Sequence, residues 1–85
     1  MRIEYKLSKA ELLEILNENG INYLKLKSRD IFGAQYYGIY FKREKDLNIA
    51  VSTLQSNKYA ELFRPITEAR INKKDCMIYI FPYRM

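Results

Sequence analysis

The chain is predicted to fold as α+β, with a mainly antiparallel sheet and two helices packed on one of its faces, in the order β-α-β-β-β-α-β. Three observations predict this. Several separate stretches alternate polar and apolar residues with a period of two, as half-buried strands do. Two other stretches repeat their apolar residues at helical spacing. No repeat, low-complexity tract or Gly/Ser/Pro-rich linker divides the sequence, so residues 1–85 are expected to form a single compact domain.

In residues 2–7, RIEYKL, the polar Arg2, Glu4 and Lys6 alternate with Ile3, Tyr5 and Leu7, which predicts a strand with one buried side. Ser8 and Glu11 follow at the S-x-x-E spacing of a capping box, in which each side chain satisfies an unpaired N–H at a helix start. Leu12, Ile15 and Leu16 form the apolar stripe of that helix, Leu13 widens it, and Gly20 is placed to make the left-handed turn that ends it.

Strands are predicted next at 22–28 and at 35–43, QYYGIYFKR, where Tyr37, Ile39 and Phe41 alternate with Tyr36, Gly38, Tyr40 and Lys42. A third, LNIAVST at 47–53, is expected to bury Leu47, Ile49 and Val51, with the charged REKD before it as a hairpin loop. These three strands make a meander. After Ser56, a candidate N-cap, the residues Tyr59, Leu62, Phe63, Ile66 and Arg70 recur at helical spacing, with Pro65 expected to kink or divide the helix. The polar turn NKKD then leads into CMIYIFPY, 76–83, which is apolar on both faces and suits a strand inside the sheet.

Composition narrows the function. No apolar run approaches the roughly 20 residues needed to cross a bilayer, and charge interrupts the first sixteen residues where a signal peptide would be uninterrupted. With a single cysteine, Cys76, the expectation is a protein kept in the reducing cytoplasm, away from membranes. There is no histidine, so neither a zinc site nor a Ser/His/Asp or Cys/His catalytic arrangement can be assembled, and no Gly-rich phosphate loop occurs. Neither a cofactor nor an enzymatic activity is therefore expected.

The net charge of +5 is uneven: residues 1–20 carry −1, 21–46 carry +3, 47–70 carry +1 and 71–85 carry +2. An excess placed in this way favours acidic partners. If Leu24 and Leu26 share the core with Tyr37, Ile39 and Phe41, the other sheet face carries Tyr23, Lys25, Lys27, Arg29, Tyr36, Tyr40 and Lys42, with Tyr79, Phe81 and Tyr83 from the last strand. Aromatic rings flanked by cations are what single-stranded nucleic acid requires, because bases stack on the rings while phosphates meet the charges. Gly38 leaves room for a close approach between Tyr36 and Tyr40. The same pattern also serves a sheet with no ligand, since cross-strand Tyr/Lys pairs stabilise strands and lysine stems cover apolar surface.

Two segments loosely resemble the RNA-recognition motif: YGIYFKR is similar to its RNP1 element, and IYIF at 78–81 to the start of RNP2. The first lacks a basic residue directly before its glycine, and the second lies on the last strand instead of the first. The helix, three strands, helix order and the residues Ser56, Lys58 and Ala60 resemble a double-stranded RNA-binding domain, without its lysine pair. The chain is assigned to neither family.

A different class of function also fits. Ile31 and Phe32, in RDIFGA, are large apolar residues in an expected loop, and are candidate protein-contact anchors. The alternative reading is a small protein that inhibits or regulates another by occupying its surface, and the Ile-, Lys-, Asn- and Tyr-rich composition suits a phage- or plasmid-encoded inhibitor. The partner is then an acidic protein surface, or a second copy of the chain across the Tyr/Lys face.

Overall fold

Ser8 opens the first helix as its spacing predicts: its hydroxyl accepts from the Glu11 N–H at 3.1 Å, and its own N–H donates to the Glu11 carboxylate at 3.4 Å. Helix α1, Lys9–Glu18, buries Leu12, Ile15 and Leu16. It ends in a Schellman arrangement: Ile21 N–H donates to the Leu16 carbonyl and Gly20 N–H to that of Asn17, with Gly20 at a φ of 64°. The computed structural model describes residues 4–85, with Ile31 described by its backbone alone.

Strands β1 (Lys25–Ile31) and β2 (Ala34–Tyr40) form a hairpin. Its two-residue loop, Phe32–Gly33, holds φ values of 50° and 81°, the doubly positive pair that a type I′ turn demands. Helix α2 (Glu44–Leu54), one turn of 3-10 helix (Glu68–Arg70), and strands β3 (Ile71–Asn72) and β4 (Met77–Ile80) follow. All pairings are antiparallel and the spatial order is β1-β2-β4-β3, which places β4 inside the sheet and leaves β1 at an edge.

The fold is thus α+β, with both helices on one side of an antiparallel sheet. Leu26, Tyr37, Ile39, Ile78 and Ile80 project to that side and join Leu12 and Leu16 of α1 and Leu47, Ala50 and Leu54 of α2 in one apolar cluster. Tyr37 is buried whole, its hydroxyl donating to the Leu7 carbonyl at 2.8 Å.

Three segments depart from the sequence expectation. Residues 47–53, expected as a strand, lie in α2. The β-branched Ile49, Val51 and Thr53 favour a strand, but Leu47, Ala50, Val51 and Leu54 also fit the helical period, and Glu44 and Asp46 in the first turn suit the helix dipole. Burial of the helical stripe decides between the two: Ala50 is fully buried while Ile49 is about half exposed.

Residues 57–67, expected as a helix, form turns and extended chain. Tyr59, Phe63 and Ile66 are buried as their spacing implies. Proline removes an N–H and drives the preceding residue toward extended backbone, so Arg64 instead donates its N–H to the Phe81 carbonyl, and Phe63 bridges Pro82.

The strand expected at 2–7 falls partly outside the described residues. Within them, Tyr5 makes an isolated bridge to Arg84, and Leu7 is fully buried.

Candidate nucleic-acid interface

The face of the sheet turned away from the helices is set by register. Lys25 pairs with Tyr40, Lys27 with Gly38 and Arg29 with Tyr36. Across the next ladder Tyr40 pairs with Met77 and Gly38 with Tyr79, which puts Phe81 beside Tyr36. Side chains alternate along a strand, so the three cations project from one side of the edge strand at intervals of ~6.8 Å. That interval is comparable with the distance between successive phosphates of an extended single strand.

Three of the aromatic residues on this face are in contact through Tyr36. Tyr36 stacks on Phe81, with ring centroids 5.3 Å apart and 20° between planes. It also meets Tyr79 edge-on at 5.6 Å. Lys25 and Lys27 hold their ammonium groups 4.7 and 5.8 Å from the Tyr40 ring. Between these groups lies a depression of about 190 Å³, lined by Lys27, Arg29, Tyr36, Gly38, Tyr40 and Tyr79 together with Met77. Gly38 forms its floor: a Cβ there would lie 3.1 Å from the Met77 methyl.

Five of the seven residues expected at a nucleic-acid site therefore come together: Lys25, Lys27, Arg29, Tyr36 and Tyr40. Tyr23 and Lys42 do not join them. Both lie beyond the paired strands, where Tyr23 is half-buried against the core, and they line a separate hollow of about 320 Å³ with Leu24, Arg43 and Asp46. In that hollow the buried Asp46 carboxylate is held by the Arg43 guanidinium at 3.0 Å. Leu24, expected in the core beside Leu26, is 62% exposed because β1 begins only at Lys25, leaving Leu24 outside the strand, and Tyr23 packs inward instead.

The two candidate protein-contact residues also separate. Ile31 closes β1 and lies in the strand instead of a loop, and its side chain is outside the described residues. Phe32 stands at the hairpin tip, fully exposed.

Sequence reasoning missed Arg70, whose guanidinium carbon lies 3.9 Å from the Phe81 centroid. Its position follows from the β3–β4 hairpin, Ile71 pairing with Ile78. The signal was the polar NKKD between RI and CMI, which reads as a hairpin turn once 57–70 is not taken as one helix.

Among the described residues no three Cys, Asp or Glu side chains converge on a point where a metal ion could bind, and no helix is long and apolar enough to cross a membrane. Comparison with protein-family models, with curated proteins and with solved structures finds no match to this chain.

Proposed function

We propose that this protein is a non-catalytic binding module that takes single-stranded nucleic acid on the open face of its sheet. One observation carries the reading: Lys25, Lys27 and Arg29 form a single basic row along the edge of a glycine-floored depression walled by Tyr36, Tyr40 and Tyr79. Phosphates track the row, and bases turn inward onto the rings. No carboxylate lines the depression, so nothing in it repels an anion. A duplex is the poorer ligand, because its bases are stacked on one another and cannot reach the rings.

The test is fluorescence anisotropy with labelled single- and double-stranded DNA and RNA, using the wild type and the Lys25→Glu/Lys27→Glu/Arg29→Glu variant. The expected result is a preference for single strands that the variant abolishes while its circular dichroism stays native. Unchanged affinity in the variant would refute the sheet-face reading.

A second reading is supported by Phe32. A fully exposed aromatic at a positive φ has neither packing nor backbone reason to be there, and such a residue is suited to anchoring a partner protein. That reading expects binding with little salt dependence and a dominant loss at Phe32→Ala.

A further inference from the structure

The sheet-face depression and a second cavity meet at the Tyr36–Phe81 stack. Where Tyr36 lines the first, its stacking partner Phe81 lines the second, a space of about 330 Å³ that also includes Tyr5, Gln35, Arg64, Tyr83 and Arg84. This is at the lower end of the ~300–1,000 Å³ typical of small-ligand sites. Two guanidinium groups border it and no carboxylate does; neither arginine makes an ion pair among the described residues. The Arg64 guanidinium lies 5.6 Å from the Tyr83 ring. The Tyr5 hydroxyl donates to the Gly33 carbonyl at 3.3 Å and accepts the Gln35 N–H at 3.1 Å, which ties this wall to the turn end of the β1–β2 hairpin.

We infer that this cavity is a second nucleotide subsite, continuous with the sheet face and occupied by the same strand after it passes the Tyr36–Phe81 stack. Arg64 and Arg84 take a phosphate, for which their planar, permanently charged groups are suited, and the rings of Tyr5 and Tyr83 receive the base. From Tyr40 to Ala34 the face runs six residues, ~20 Å, so the sheet alone holds about three or four nucleotides and the second cavity adds to that length. Arg64 owes its place to Pro65, since the extended backbone before the proline is what pairs it with Phe81.

The inference rests on the sheet-face reading, and the length of the ligand separates the two. Anisotropy is measured with labelled oligothymidylates of about four and about eight nucleotides, on the wild type, the Lys25→Glu/Lys27→Glu/Arg29→Glu variant and an Arg64→Ala/Arg84→Ala variant. Both arginines are exposed, so the second variant is expected to fold, with circular dichroism as the check. The longer oligomer should bind the wild type at least about tenfold more tightly than the shorter. The arginine variant should lose that difference, and its salt slope on the longer oligomer should fall by about 0.7, the value for one phosphate contact on a single strand. If it binds the longer oligomer as the wild type does, the subsite is refuted while the sheet face stands. If neither oligomer binds the wild type, both readings fail.

Discussion

Arg70 holds its guanidinium carbon 3.9 Å from the centroid of the Phe81 ring, joining the 3-10 turn before β3 to the chain leaving β4. Phe81 stacks in turn on Tyr36, so a cation and three aromatic rings, with Tyr79 the third, form one connected group on the open face. A half-buried cation–π contact contributes about 1 kcal/mol. Arg70→Ala is therefore expected to lower unfolding free energy by about that amount in urea, with an unchanged m-value. No measurable loss would mean that the contact only decorates the surface.

Gly38 separates binding from stability. Its backbone φ is not in the left-handed region, and the nearest atom to an added Cβ is the Met77 methyl, the mobile end of a flexible side chain. Gly38→Ala should thus change stability by less than about 1 kcal/mol. The methyl group raises the floor between Tyr36 and Tyr40, so single-strand affinity should fall severalfold. Equal affinity would place the ligand elsewhere.

Tyr37 gives the fold a pH dependence at the alkaline end. Burial, and then the nearby Glu11 and Tyr5, push its phenol above the usual tyrosine value of about 10. In the unfolded chain the phenol ionises first, so above about pH 10 the folded state binds more protons and stability falls as pH rises. Tyr37→Phe should flatten that alkaline limb. It also removes the donor to the Leu7 carbonyl, which costs about 1–3 kcal/mol at neutral pH. Urea melts of the two proteins at pH 7 and above pH 10 test both statements, and parallel alkaline limbs would contradict the first.

Phe32 occupies a position that favours asparagine or glycine, since its φ is 50°. Phe32→Asn is expected to stabilise the protein by up to about 1 kcal/mol, because the side chain is fully exposed and no packing is lost. Destabilisation by thermal melt would show that the ring does pack.

Local rules made much of this fold legible. Ser8, Glu11 and Gly20 delimit α1, and the alternation in 35–41 fixes which face of β2 carries Tyr36 and Tyr40. Where the sequence misled, two periods competed. The stretch 47–53 satisfies both a strand and a helix, and packing of Leu47, Ala50 and Leu54 against the sheet selects the helix. In 57–67 the burial of Tyr59, Phe63 and Ile66 was readable, but the backbone was not, since long-range bonds to Phe81 and Tyr83 determine it. The basic and aromatic face was readable because it depends only on alternation within two paired strands. Arg70 reaches that face through the β3–β4 hairpin, for which the NKKD turn was the one sign, while Arg64 and Arg84 are placed at the second cavity by pairings distant in sequence that left no local sign.

The most direct measurement is the salt dependence of binding to a single-stranded oligonucleotide of about eight nucleotides, from about 50 to 200 mM salt. If Lys25, Lys27 and Arg29 each meet a phosphate, log affinity falls against log salt with a slope of about −2, steeper when the second cavity also engages, and the Lys25→Glu/Lys27→Glu/Arg29→Glu variant loses the binding. A slope near zero, or none of these strands bound at the lowest salt, would contradict the account and direct attention to Phe32 and a protein partner.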